Sequence, residues 1–403
     1  MPGTSLPLPA GLDCFKIKGD YLNALWYYAI AFVVIWVLAF LFKDKLKIEM
    51  EGPIILRKTT RMRGFIDSVA QVNPKLWRWV MNGGIVVAVF LMAFIVYYLV
   101  ASLETVAVNP QVSIVLPGVK IPGSPIYLPF GYGLIGLITV IVVHEFGHGI
   151  LARVEKVNIK SLGVGLLAIL PIAFVEPDEE EVNKLGSLSK LRIFAAGSIF
   201  NMMLAALTIA IYLVLTLFLI PYALPAEGLE IVNVVPGSPA DGVLQEGMVI
   251  QAINGYPVTD RDSFSRVIQE LKVGEQVIIG TDRGTYSVTT SPNPNSTSSA
   301  FIGIKSQEKH VVSEDLSIIL GDAPWVLVYL AELFMWIFTL NFGIGLFNLL
   351  PLKPFDGGLI FEEIIGNWTS ERVTRACTYA VSIFCLSLVL INIGYGFLSA
   401  IFY

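Results

Sequence analysis

The chain has 403 residues, 55% of them hydrophobic and 15% charged, with a net charge of −5. A soluble domain carries about 25% charged residues, so this composition, with a mean hydropathy of +0.71, excludes an ordinary soluble protein. No basic stripe exists beyond short flanks of apolar segments, which excludes a nucleic-acid surface. The composition fits a polytopic α-helical membrane protein.

Residues 1–24 are proline-rich and weakly charged, without the basic start of a cleavable signal peptide. Segments long enough to cross about 30 Å of hydrocarbon fall at 25–42, 82–102, 132–152, 194–220, 325–349 and 377–401. About six transmembrane helices are therefore expected. His144, Glu145 and His148 interrupt the third, and Pro324 and Glu332 soften the start of the fifth. Cys14, Cys377 and Cys385 form no disulfide framework; two of them lie near or in an apolar stretch, which reads as buried thiols.

Loop charge predicts an orientation. Residues 43–81 carry Lys43, Lys45, Lys47, Arg57, Lys58, Arg61, Arg63, Lys75 and Arg78, whereas 103–130 carry only Lys120. Arg153, Lys156, Lys160, Lys184, Lys190 and Arg192 follow the third span. The positive-inside rule puts 43–81 and 153–193 in the cytosol, and both termini and 221–324 outside.

Within 153–193, the run IKSLGVGLLAILPIAF is apolar but too short to span, and it contains Pro171. A hairpin or re-entrant piece is predicted, tolerated at membrane depth only where protein covers it. The acidic run Glu176 to Glu181 reads as a solvated loop.

Residues 227–309 differ in kind. GLEIVNVVPGSPA reads as a strand and turn, Asn254-Gly255 as a tight turn, and DRDSFSRVIQEL as a helix with Asp260 at its N-cap. Alternating strand follows, and a Pro-Asn-Ser linker at 291–299 marks an edge. This is a soluble α+β module inserted between two spans.

The sharpest chemical signal is His144-Glu145-Phe146-Gly147-His148. On a helix, positions i and i+4 share a face, so both imidazoles can meet one Zn²⁺ while Glu145 acts as general base. Ionisable groups inside a span are costly and usually functional. The plainer alternative is a hydrogen-bonded histidine–glutamate cluster between helices. Gly147 permits close approach of a neighbouring backbone, and Gly197 among its alanines marks a tight helix contact.

A zinc site needs a third protein ligand. His310 and Glu332 lie toward the wrong side by the charge-based orientation. Asp356 stands in the apolar run NFGIGLFNLLPLKPFDGGLIFEE, where Pro351 and Pro354 should break the helix. It is the candidate ligand, with a helix-cap or turn aspartate as the alternative. Asn201 and Asn348 fall in predicted spans, either as hydrogen-bonding glue between helices or as holders of a substrate backbone.

These residues resemble the site-2 protease family of intramembrane zinc metalloproteases. The family pairs HExxH in one span with N-x-x-P-x-x-x-x-D-G in a later one, matched by His144 to His148 and by Asn348, Pro351, Asp356 and Gly357. The Gly197 to Asn201 stretch resembles the family's middle helix, and 227–309 resembles a PDZ domain, its first strand and turn including the carboxylate-binding region. Residues 161–174 resemble the family's membrane-embedded β-hairpin.

The resemblance implies one zinc per chain held by His144, His148 and Asp356, with Glu145 as catalytic base. Asn348 and Asn201 would bind substrate or the oxyanion. Substrates would be single-pass or membrane-anchored proteins, cut within or beside the bilayer near the cytosolic face of the cell membrane, with the PDZ-like domain extracellular. The expected organisation is an N-terminal region with two additional spans (1–130), a first core half (131–226), the PDZ-like domain (227–309) and a second core half with the last span (310–403). A transporter and a non-catalytic membrane scaffold are the competing classes.

Overall fold

The structure, a computed structural model, describes residues 14–59, 62–106, 111–294 except 113, 122, 123 and 125, and 296–402. The proline-rich start at 1–13 lies outside the described residues. Two compact units divide the chain, Met1–Ala210 with Leu333–Tyr403 as one and Ile211–Glu332 as the other. Among the described residues, six helical stretches are long and apolar enough to cross a membrane: Trp26–Leu46, Pro74–Glu104, Phe130–Val154, Ser187–Ala223, Ala323–Asn348 and Glu371–Leu398.

The first unit begins with α1 (Cys14–Leu46), the short strands β1 (Glu49–Glu51) and β2 (Ile54–Thr59), and α2 (Arg63–Val72). Helix α3 (Pro74–Ala101) starts well before the apolar run expected from 82, because local chemistry favours it. Asn73 caps it by accepting from the Leu76 N–H at 3.0 Å, and Pro74 supplies a preset φ where no N–H is needed.

Next come α4 (Phe130–Val154), β3 (Ile159–Leu167), β4 (Leu170–Pro177), the short α5 (Glu179–Asn183) and α6 (Ser187–Val214). The 159–177 stretch is an antiparallel hairpin, β3 with β4. It is not alone: β2 pairs with β3 from Ile54↔Leu167 to Thr59↔Leu162, making one sheet in the order β1-β2-β3-β4. The basic loop between the first two spans thus contributes two strands that its charge had concealed.

The acidic run is partly helical. Asp178 caps α5 by accepting from the N–H groups of Glu180 and Glu181 at 2.9 and 3.2 Å. The Glu181 N–H, first among several causes, holds the Asp178 carboxyl below its ordinary value. At the end of α4, buried Glu155 accepts from Arg78 at 3.1 Å, Arg192 at 3.0 Å and Ser189 at 2.9 Å, tying α3, α4 and α6 together. A carboxylate with a side chain this shielded persists only when paired and hydrogen-bonded. An apolar core including Ile66, Met81, Leu151, Ala196, Leu349 and Ile360 completes the packing.

In the second unit, the chain leaves α6 through a widened helical turn, Leu215–Leu219, into α7 (Ile220–Ala223). There follow β5 (Ala226–Val234), β6 (Val249–Ile253), β7 (Tyr256–Pro257), α8 (Arg261–Glu270), β8 (Gln276–Thr281), β9 (Gly284–Thr289), β10 (Ser291–Asn293), β11 (Ser296–Phe301), β12 (Ile304–His310) and α9 (Glu314–Leu320). The sheet runs β12-β5-β6-β8-β9, with β7 folded onto β6. Asn254 and Gly255 take positive φ of 48° and 81°, the geometry of a two-residue hairpin turn between β6 and β7. Asp260 and Ser263 form a capping box at the start of α8. Ser291–Asn293 and Ser296–Phe301 pair as antiparallel strands, β10 with β11, where a linker was expected. Leu229, Ile231, Ile250, Ile253, Val277 and Ile279 are the buried centre.

The chain ends with α10 (Val326–Asn348), α11 (Asp356–Gly366) and α12 (Glu371–Phe402). Residues 349–355, with Pro351 and Pro354, separate α10 from α11, as expected where prolines remove donors and clash with a preceding turn. The Lys353–Pro354 bond is cis. Cys377 and Cys385 are free thiols, Cys385 fully buried.

Candidate metal centre

Two elements distant in sequence converge at one point. Helix α4 carries His144, Glu145 and His148, and the first residue of α11 is Asp356. The helical i, i+4 spacing turns both imidazoles the same way, with their Nε2 atoms 3.2 Å apart. Asp356 Oδ2 lies 3.6 Å from His144 Nε2, and Asp356 Oδ1 lies 3.3 Å from His148 Nε2. All three side chains are largely shielded from solvent.

These separations test whether a metal fits. A tetrahedral ion with ligand bonds of about 2.0–2.1 Å has ligand–ligand edges of about 3.3 Å. The separation between the imidazoles, and that of each imidazole from its nearer Asp356 oxygen (Oδ2 for His144, Oδ1 for His148), lie close to that edge, and one ligand atom from each residue falls within 4.8 Å of the others. Two imidazoles and one carboxylate are also a donor set of catalytic zinc sites. The site fits such an ion.

The histidine tautomer is set locally. His148 Nδ1 lies 2.8 Å from the Ile193 carbonyl of α6. A carbonyl only accepts, so Nδ1 carries the proton and Nε2 keeps its lone pair for a metal. Glu145 points elsewhere: its Oε2 accepts from the Val175 N–H of β4 at 2.9 Å. That bond holds the Glu145 carboxylate without drawing it into the candidate ligand group.

Helix α6 closes the back of the site, and two glycines make this possible. A Cβ at Gly147 would come within 2.8 Å of the Ala196 carbonyl oxygen and 3.0 Å of the Phe200 ring. A Cβ at Gly197 would come within 2.6 Å of His144 Cε1 and 2.7 Å of its Nδ1, and would also overlap His148 Nε2. Both glycines therefore permit contact between α4 and α6, and Gly197 does so directly against the imidazoles.

The remaining candidates separate. Asn201, fully buried on α6, has its Nδ2 3.4 Å from His144 Nδ1. Asn348 is half-buried at the end of α10, with no hydrogen bond to its amide among the described residues. His310 is the last residue of β12, in the other unit, and its Nδ1 bonds to the Leu224 carbonyl at 2.9 Å. Two contacts escaped sequence reasoning. Ser198 donates to Asp356 Oδ2 at 2.9 Å, and the Val175 N–H reaches Glu145. A lone serine among small residues signals packing, and a backbone N–H has no sequence signature.

Comparisons with known proteins follow the same lines. The model of Peptidase family M50 matches residues 132–391. An uncharacterized protein of Methanocaldococcus jannaschii is 25% identical over 345 residues, covering 81% of each chain. The membrane-bound transcription factor site-2 protease homolog of Arabidopsis thaliana is 30% identical over 127 residues, 32% of this chain and 25% of that protein. Among solved structures, the PDZ domain of the SdrC-like protein of Listeria innocua is 26% identical, covering 20% of this chain and 93% of that one, with a TM-score of 0.19. The corresponding Listeria monocytogenes domain is 25% identical, covering 22% and 92%, with a TM-score of 0.18.

Proposed function

The chain belongs to Peptidase family M50, a membrane metalloprotease family, and from that premise we propose that it is a zinc endopeptidase cutting membrane-anchored proteins within or beside the bilayer. The observation that carries this is the convergence of His144, His148 and Asp356 at near-tetrahedral separations, with Glu145 on the adjacent helical position.

His144 Nε2, His148 Nε2 and one Asp356 oxygen would hold the ion. When bound, zinc supplies Lewis-acid polarisation of water and of the scissile carbonyl. Glu145 removes a proton from the attacking water and returns it to the leaving amine. Asn348, half-buried and without another partner among the described residues, donates its amide N–H to the developing oxyanion.

A substrate helix hides its peptide bonds and must unwind before attack. Its freed backbone groups then need partners, because unsatisfied ones at membrane depth cost several kcal/mol each, roughly. Strand β4 is the outermost strand of its sheet, and the Val175 N–H points away from β3 toward α4. Strand alternation turns the Ala173 N–H to the same side. An unwound substrate would pair along this edge and be delivered in front of Glu145.

Loop charge supports a multi-pass arrangement in the cell membrane with the site near the cytosolic face and the 227–309 domain outside. There the PDZ-like domain would act on trimmed ends or exclude bulky ones. Strand β5 has neighbours on both sides, so an added peptide strand would use an edge strand, β12 beside it or β9 at the far side.

Zinc analysis of the detergent-purified chain, with cleavage of a membrane-anchored substrate by wild type and Glu145→Gln, tests the reading. The expected result is one zinc per chain in both, and a loss of about 10²–10⁴-fold in cleavage rate from removing the base. Unchanged cleavage by Glu145→Gln, or no bound zinc in wild type, rejects it.

A further inference from the structure

Helix α6 supplies one polar group to each member of the candidate ligand set. The Ile193 carbonyl meets His148 Nδ1, the Ser198 hydroxyl meets Asp356 Oδ2, and the Asn201 amide meets His144 Nδ1. Ser198 and Asn201 are both fully buried, with 0% exposure each. Neither has solvent to satisfy it, so the partner each finds decides whether its burial is tolerable.

Ser198 is satisfied as it stands: it donates to Oδ2, which lies 3.6 Å from His144 Nε2, while Oδ1 lies 3.3 Å from His148 Nε2. Asn201 presents a conflict. Its Oδ1 is buried with no hydrogen-bond partner, while its Nδ2 faces His144 Nδ1 at 3.4 Å. If His144 coordinates through Nε2, its Nδ1 carries the proton and donates. A donor then faces a donor. Rotating the amide by 180° exchanges nitrogen and oxygen, which is a matter of assignment and not of position. The orphaned Oδ1 then accepts from Nδ1–H.

We propose that Asn201 and Ser198 are positioning residues for the metal ligands, with Asn201 Oδ1 fixing the tautomer and ring plane of His144 and Ser198 orienting the carboxylate of Asp356. The proposal rests on the metal reading above, and it moves Asn201 away from substrate contact. It also explains the spacing of Gly197 and Asn201 on one helix. Gly197 removes the side chain that would strike the two imidazoles, and Asn201, one turn further on, sets His144. Groups that orient a ligand from behind typically affect metal affinity by about 10–100-fold.

The test uses the full chain in detergent, with zinc affinity measured by chelator competition and the ligand field read from the visible spectrum of the Co²⁺-loaded protein. Asn201→Leu is expected to weaken zinc binding by about 10–100-fold and to shift the cobalt bands, whereas Asn201→Asp, which keeps an acceptor toward Nδ1–H, retains wild-type affinity within a few-fold. Ser198→Ala is expected to weaken zinc binding by about 10-fold. Wild-type affinity and spectrum in Asn201→Leu, with a raised KM for substrate, would assign Asn201 to substrate binding and overturn the proposal. So would loss of metal in Asn201→Asp with its thermal stability unchanged, a comparison that still decides the matter if the leucine variant does not fold. Absence of zinc from the wild type would instead remove the metal reading itself, and this proposal with it.

Discussion

The candidate metal centre and the inserted domain of residues 226–310 solve opposite problems. At the centre, polar groups are held within an apolar bundle: Ser198, Asn201 and Asp356 are buried, and each meets a histidine or carboxylate atom. In the inserted domain, apolar groups such as Ile231, Ile250, Ile253 and Ile279 are buried inside a polar exterior. The first arrangement depends on exact partners, because a buried polar group without one is costly. The second depends on volume and area, which many side chains supply nearly as well. A single substitution should therefore abolish chemistry in the one and only lower stability in the other.

Gly197→Val gives the largest expected effect. Its methyl groups would occupy the space of both imidazoles, since even a Cβ falls within 2.6 Å of His144 Cε1. Zinc content should fall from one per chain to near none. Loss of metal-assisted catalysis, worth several kcal/mol, should then lower cleavage by about 10³-fold or more. Metal analysis beside the cleavage assay measures both. Full zinc content in this variant would mean that α6 does not confine the histidines.

Ile253→Ala examines the other side. This side chain is fully buried in the inserted domain, and its truncation should cost that domain about 2–5 kcal/mol. Hydrogen exchange of peptides from 226–310 in the full-length protein should show faster opening, while zinc content stays at the wild-type level. A parallel loss of zinc would erase the contrast, because the domain core would then be a condition for the site.

The same contrast governs what could be read in advance. The meeting of His144, His148 and Asp356 was legible because ionisable residues are anomalies in apolar segments, and anomalies need reasons. The α4 and α10 spans, the hairpin at 159–177 and the cap at Asp260 were legible from length, glycine content and local chemistry. Strands β1 and β2 were not, because three and six residues among basic side chains carry little periodicity, and their identity as strands comes from pairing with β3. Nor was Ser198, whose hydroxyl gains meaning only when α11 brings Asp356 to it. Asn201 was noticed as a costly amide in a span, yet its partner could not be chosen from sequence, since α4 reaches it only through the close contacts at Gly147 and Gly197.

The smallest expected effect lies at the start of α8. The Ser263 backbone N–H, donating to Asp260 at 2.7 Å, is the first cause holding that carboxyl below its ordinary value. A carboxyl with a depressed folded value stabilises the fold fully above its unfolded pKa, about 3.9. The contribution is lost as pH falls through the lower folded value, so neutral conditions leave it intact and the change is confined to acid. Asp260→Asn keeps an acceptor for the Ser263 N–H and removes the charge. Its stability should be slightly lower at neutral pH, through the lost attraction to the helix N-terminus, and its decline below about pH 4 should be shallower. Exchange of α8 peptides as a function of pH, in the full chain, measures this. Identical acid limbs in the two proteins would show that the cap acts through its hydrogen bond alone, placing even this exposed site among those governed by exact partners.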